Sequence, residues 1–356
     1  MSTYPPFGLG VEFVSIVDLA IFDYKLVQDG DVHEIDKLWG AATGLGMWYL
    51  KNHGTEDEVE AMYGVAHDAF AIPQEEKDQY DHWKEGGWFG YHKLQAASYT
   101  ETGPKLDLVE YFNISQNDIL GFPDPIHRAY PPAVTAYTES VLQPFTHKSS
   151  EVNDTLLNVL NDRLGLPQGA LRQRHRPHEK SGSQVRVTRT FPNPAVLPNR
   201  SLFNAHNDYG TLALLHSRIG GLQVFSHDWK HWNKQPIPNH AVCIIGDSLD
   251  NLTCGILHSA LHAVVSPLGE QKAYERTSIV YLTRPEDFSS LDPMEGESTM
   301  IGEKVAMLKS AGGYANYGVT NGRTVEEFWR GMAAWRRMNA GCIAADERWR
   351  VEQPAH

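Results

Sequence analysis

The run Asn204-Ala205-His206-Asn207-Asp208-Tyr209-Gly210 sets an imidazole and a carboxylate two residues apart. In extended backbone, residues i and i+2 project to one side, so His206 and Asp208 can grip one ion together. A second imidazole, His262, stands 54 residues beyond Asp208 (262 minus 208), within reach after a strand hairpin or two. Two histidines and one carboxylate on one face of a metal leave the opposite face open, as a non-haem Fe(II) centre needs to bind a co-substrate and O2 side by side. The chain has 17 histidines, so an HxD also arises by chance, as a turn aspartate beside a hydrogen-bonded histidine. His216, His227 and His258 lack the paired spacing and read as surface or loop histidines. Arg276 and Ser278 follow His262 by fourteen and sixteen residues and share a strand face. A guanidinium fork with a hydroxyl suits a carboxylate. Taken alone, the pair reads first as an exposed strand-end salt bridge.

These residues must be held by a rigid scaffold. After a polar, basic connector over 173–183, short runs rich in Val, Thr, Leu and Ile alternate with Pro, Asn, Asp and Gly. They predict strands near 184–191, 202–206, 212–215, 221–225, 241–245, 260–266 and 277–282. Upstream, strand patterns at 11–19 and 46–50 accompany helical rhythms over 31–48 and 56–71. Val152, Leu156, Val159 and Leu160 give one apolar helix face that Gly165-Leu166-Pro167 stops, and Pro144 should kink or end any helix before it. The glycine and aromatic cluster within 85–99 reads as an irregular loop of the kind that borders sites. A helix is expected over 324–339, with Phe328, Trp329, Met332 and Trp335 on a face that closes the cavity or meets another subunit. Many short strands after a helical half imply an α+β chain with a sandwich or jelly-roll core. The expected division is 1–172, a helical and strand region; 173–290, the core; and 291–356, a C-terminal helical extension.

Composition narrows the function classes. With 41% apolar residues the chain can bury a sizeable core unaided. Its three cysteines, Cys243, Cys254 and Cys342, have neither disulfide nor zinc spacing, which suits a reduced, cytoplasmic setting. No basic leader precedes a long apolar run, and no stretch reaches the length of a membrane span. A formal charge of -13 without a basic stripe makes nucleic acid a poor partner. A small-molecule ligand remains, and oligomeric state is left open.

The order HxD, distal histidine, Arg-x-Ser resembles the isopenicillin N synthase-like branch of the Fe(II)/2-oxoglutarate-dependent dioxygenases. Also similar are Gly220-Gly221-Leu222-Gln223-Val224, Trp232, Ile244-Ile245-Gly246-Asp247, and Gly255 with Ser259. In the first half, Ala42-Thr43-Gly44, Asn52-His53-Gly54, Ile72-Pro73, Glu76-Lys77, Gly90-Tyr91 and Asp107 with Glu110 extend the likeness, which covers roughly residues 11 to 290. The resemblance implies a double-stranded β-helix (jelly roll) core with an N-terminal helical region and a C-terminal helix. It implies His206, Asp208 and His262 as iron ligands, and Arg276 with Ser278 as the anchor for 2-oxoglutarate. By the same resemblance, a small organic metabolite is hydroxylated, desaturated or cyclised with O2, releasing succinate and CO2. Keeping a carboxylate at 208 argues for hydroxylation over halogenation.

The chain departs from the pattern where relatives carry Asn-Tyr-Tyr-Pro, here Arg189-Thr190-Phe191-Pro192. Alternation puts Arg189 and Phe191 on one strand face, expected toward the cavity, where the arginine would bind a polar or anionic substrate group. The competing reading is an outward arginine on an edge strand. Tyr91, with Trp88 and Phe89, is a further candidate for the mouth of the site, or else simple core packing. Ala263 replaces the usual arginine after the distal histidine, and the Arg-x-Ser spacing is a few residues longer than usual. Two rivals stay open: an oxidase of this fold in which Arg276 and Ser278 hold the substrate's own carboxylate, and a non-catalytic small-molecule binding protein.

Overall fold

In a computed structural model, the structure describes residues 19–82, 88–95, 107–123, 128–192, 201–226, 231–314, 322–328 and 330. The N-terminal part runs β1 (Ile21–Asp23), α1 (Tyr24–Gln28), α2 (Val32–Ala42), β2 (Met47–Lys51), α3 (Glu56–Ala71) and α4 (Gln74–Lys77). It continues through β3 (Gly90–Gln95), β4 (Asp107–Ser115), α5 (Gln116–Leu120), α6 (Pro132–Thr135) and α7 (Gln143–Arg163). Asp31 caps α2 by accepting the Glu34 backbone N–H at 2.9 Å, satisfying a donor the first turn would leave orphaned. Pro144 sits in the first turn of α7, where no helical N–H is lost, directly after a π turn over Thr138–Leu142.

The second half supplies β5 (Gln184–Thr190), β6 (Ser201–His206), β7 (Leu212–Ser217), β8 (Leu222–Phe225), β9 (His231–Lys234) and β10 (His240–Ile245). It closes with α8 (Asp247–Leu252), β11 (His262–Val265), β12 (Arg276–Thr283) and α9 (Thr299–Ser310). Two sheets face each other: a large one in the order β1-β2-β10-β7-β12-β5-β4-β3, and a small one in the order β6-β11-β8-β9. All pairings are antiparallel except β1 with β2. The fold is α+β with a jelly-roll core.

Period-two alternation divides the large sheet between two cores. Ile279 and Tyr281 of β12 pack with Leu156 and Leu160 of α7 and with Val187 of β5. Val280 and Leu282 point the other way, to Leu222 and Val224 of the small sheet and to Leu215 and Val242. The barrel interior is therefore the face that also carries Arg276 and Ser278.

Two sequence-based readings change. The 85–99 stretch, expected as a loop, contains β3 over Gly90–Gln95, paired with β4; its glycines and aromatics conceal the alternation. The large sheet draws β1 to β4 from before residue 172. His216, expected at the surface, is buried on the helix-facing side of β7, its ring 6.3 Å from Phe145 of α7. The early strand reading at 11–19 lies outside the described residues except for Leu19, as do His227 and the Trp329, Met332 and Trp335 of the expected C-terminal helix. Phe328 packs by the small cluster of Leu291 and Val325.

Candidate active site

β6 and β11 lie side by side in the small sheet, with His206 and His262 as direct register partners. This pairing brings back the histidine that lies far away in sequence, with ring centroids 4.4 Å apart. Asp208 follows on the loop just past β6, its Oδ1 3.9 Å from His206 Nε2. One donor atom from each of His206, Asp208 and His262 lies within 4.8 Å of the others.

The directions of these candidate ligands are fixed by what stands behind them. His262 is 4% exposed, and its Nδ1 lies 2.9 Å from the Ala260 carbonyl. That oxygen can only accept, so Nδ1 carries the proton and Nε2 presents its lone pair to the cluster. The Asp247 backbone N–H donates to the Asp208 carbonyl at 2.7 Å. Gly246 passes so close that a Cβ there would stand 2.5 Å from the Asp208 oxygen and 2.4 Å from that of Gly210. Asn207, between His206 and Asp208, donates from Nδ2 to the Ser259 carbonyl at 3.1 Å and to its hydroxyl at 2.9 Å. Ser259 in turn donates its N–H to Asp250 at 2.8 Å. The loops bearing Asp208 and His262 are thus tied together, a connection the spacing of the ligands does not reveal. Burial, with the charges of Asp250 and Asp208 nearby, pushes the Asp247 carboxyl up to about 6. Two imidazoles and a carboxylate converging from one side form a donor set that fits a divalent transition metal with open positions.

Arg276 begins β12 deeper in the barrel and is 2% exposed. Its Nε donates to the Gly220 carbonyl at 2.9 Å and its Nη1 to the Ser278 hydroxyl at 3.3 Å. Gly221 allows this approach: its φ is +105°, and a Cβ would meet the Val265 carbonyl at 2.5 Å. Among the described residues no carboxylate pairs with Arg276, and burial pulls the guanidinium down to about 10. The pocket around it is lined by Tyr49, Leu215, Ser217, Leu222 and Val242. A buried cation without a counter-charge is costly and is relieved by an anion, so a carboxylate ligand fits here.

Arg189 and Tyr91 stand elsewhere. Arg189 pairs in register with Glu110 of β4 and Thr277 of β12, which turns it away from the interior and toward α3. Its Nε donates to Glu110 Oε1 at 2.6 Å, and its guanidinium lies over the rings of Phe70 and Phe191. Tyr91 donates its hydroxyl to Glu110 Oε2 at 2.5 Å, and Lys77 Nζ reaches the same oxygen at 2.9 Å. The expectation that Arg189, Phe191 and Tyr91 line the cavity is corrected: Arg189 and Tyr91 join Lys77 in a charge cluster around the buried Glu110, between the large sheet and the helices, and Phe191 lies against the Arg189 guanidinium. Alternation establishes that 189 and 191 share a face; strand register decides which face that is.

A jelly roll with a two-histidine, one-carboxylate face and an uncompensated arginine deeper in the barrel defines a non-haem iron oxygenase. Two family models agree: the N-terminal region of the non-haem dioxygenases in morphine synthesis matches residues 14–133, and the 2OG-Fe(II) oxygenase superfamily matches residues 167–285. The chain belongs to the 2-oxoglutarate- and Fe(II)-dependent dioxygenases, enzymes that use Fe(II), 2-oxoglutarate and O2. It is 28% identical over 295 residues to the 2-oxoglutarate-dependent dioxygenase frbH of a Dothideomycetidae species, covering 81% of this chain and 88% of that protein. It is 26% identical over 322 residues to the 2-oxoglutarate-dependent dioxygenase AFUA_1G01000 of Aspergillus fumigatus, covering 82% and 80%. Among solved structures, a full-length Neurospora crassa protein in complex with alpha-KG superposes with a TM-score of 0.65 at 20% identity, covering 83% of this chain and 98% of that one. The same Neurospora protein has also been solved with thymine.

Proposed function

We propose that this dioxygenase hydroxylates a carbon of a small organic molecule, with iron held by His206, Asp208 and His262 and the far carboxylate of 2-oxoglutarate held by Arg276 and Ser278. The convergence of the three donor atoms within 4.8 Å carries the reading. When bound, iron and 2-oxoglutarate supply the coupling of decarboxylation, which gives succinate and CO2, to two-electron oxidation of the substrate. The chain's own residues position and exclude. Neutral imidazoles are needed at 206 and 262, and the Ala260 carbonyl keeps His262 in the required tautomer. Asp208 occupies the third position with a carboxylate, which supports hydroxylation over chemistry that needs an added anion there. Leu215, Leu222, Val224, Val280 and Leu282 form an apolar wall that keeps bulk water from the barrel interior. Desaturation and ring closure begin from the same site and depend on which hydrogen the substrate presents. Two buried free thiols, Cys243 and Cys254, accord with a cytoplasmic setting.

The test is product analysis with isotopic oxygen. Incubation with Fe(II), 2-oxoglutarate and 18O2 should give one succinate for each hydroxylated product, and an Asp208→Ala variant should give neither. Product without succinate would instead indicate the oxidase in which Arg276 holds the substrate.

A further inference from the structure

The barrel interior contains a second guanidinium. Arg186 of β5 pairs in register with Val280 of β12 and so shares the interior face with Arg276 and Ser278, nearer the end of β12. That end abuts the Asp208 loop, where the Thr211 N–H donates to the Thr283 carbonyl at 2.8 Å. Arg284, just past β12 and 7% exposed, is close enough to feel the charges of both Arg186 and Asp208. Arg284 therefore stands against the Asp208 loop, where a Cβ on Gly210 would lie 3.5 Å from its Cγ, with Arg186 near it on the interior face, both separate from the arginine in the deep pocket.

Arg186 is built to present its fork. The buried Asn113 accepts its Nε at 2.7 Å and is itself fixed by Gln184 at 3.3 Å and by the Trp88 carbonyl at 2.7 Å. The guanidinium lies 4.8 Å over the Tyr111 ring, which sets its plane. Among the described residues Arg186 forms no ion pair, and neither terminal nitrogen donates to a protein acceptor. A held Nε with two open Nη groups matches the bidentate geometry of a carboxylate. His92, beside Tyr111 and also facing Arg186, is buried and pulled down to about 4, so it adds no competing charge. The chain carries a net charge of -13, which repels anions at long range, so an anionic substrate needs a local positive field of this kind.

We propose that Arg186, reinforced by Arg284, binds a carboxylate of the substrate, so that the molecule oxidised is a small organic acid. This rests on the dioxygenase reading of the neighbouring site. The test uses the holoenzyme with Fe(II), 2-oxoglutarate and a panel of aliphatic and aromatic monocarboxylic acids, each paired with its methyl ester. Succinate formation above the rate without additive is read for every compound, and binding is followed by tryptophan fluorescence under anaerobic conditions. Acids should stimulate and their esters should not; Arg186→Gln should lower kcat/KM for the acids about 100-fold and collapse the acid-to-ester ratio, with partial recovery in Arg186→Lys. Esters acting as well as acids, a panel in which no acid binds or stimulates, or an equal loss for acid and ester in Arg186→Gln would overturn the proposal. Calorimetric binding of 2-oxoglutarate to the Fe(II) protein, measured alongside, reports on the dioxygenase reading by itself.

Discussion

Replacing Glu110 by glutamine removes a charge while keeping the shape of the side chain, and so isolates what the carboxylate contributes between β4 and the helices. Glu110 is fully buried and accepts from Lys77, Tyr91 and Arg189. Lys77 is itself only 3% exposed, so its ammonium has no route to water once the counter-charge is gone. Breaking a buried pair from one side costs about 3–5 kcal/mol. The Gln oxygen still accepts one bond, and Arg189 keeps Glu275 at 3.6 Å, so the lower end applies. The expected loss is about 3 kcal/mol, a roughly hundredfold drop in the folding constant at 1.4 kcal/mol per decade. Urea unfolding of the apo-proteins, followed by circular dichroism, measures it, with the denaturant slope unchanged. Removing both charges in Lys77→Met/Glu110→Leu should recover at least half of the loss. A Glu110→Gln loss under about 1 kcal/mol would refute the argument. So would an Arg189→Ala variant of wild-type stability with impaired turnover, which would return Arg189 to the substrate site.

Other consequences follow from the same geometry. Burial pulls His92 and His175 to about 4 and His216 to about 3. The unfolded chain takes up these protons near pH 6.5 while the folded chain refuses them, so stability falls as pH drops below about 6.5, by about 1.4 kcal/mol per unit for each histidine. Asp247, pushed up to about 6, binds its proton earlier in the folded state and offsets one such contribution between about 6 and 4. Thermal melts at pH 7 and pH 5 check the balance; an equal or higher midpoint at pH 5 contradicts it. Asn207→Ala cuts the tie to Ser259 and should weaken Fe(II) binding at least 10-fold while leaving the apo-protein's unfolding midpoint in place; unchanged affinity in an anaerobic titration counts against the tie. Gly246→Ala forces a methyl group against the Asp208 and Gly210 carbonyls, so metal binding should be lost with helical content retained.

The candidate metal cluster was legible because two of its residues are spaced i and i+2 at a strand end, and the Arg-x-Ser pair because strand alternation puts both on one face. The strands after residue 183 were legible for the same reason: their apolar runs are short and their turns are punctuated. Arg189 was misplaced because alternation is relative; only the register with Glu110 and Thr277 shows that Arg186, three residues earlier, faces the interior instead. Asn207 left no trace in the pattern, since its partner Ser259 lies 52 residues away and meets it only through the pairing of β6 with β11. β3 escaped notice because its glycine and aromatic residues read as a loop until β4 supplies a partner.

The most direct test of the central claim is an anaerobic titration of the apo-protein with Fe(II), then 2-oxoglutarate, comparing wild type with Arg276→Ala and following the visible charge-transfer absorption of the chelate. Wild type should bind one iron and develop the band with 2-oxoglutarate, and Arg276→Ala should bind iron normally but need far more 2-oxoglutarate to show it. Iron binding without a band in wild type, or an unchanged 2-oxoglutarate requirement in the variant, would contradict the assignment of the site.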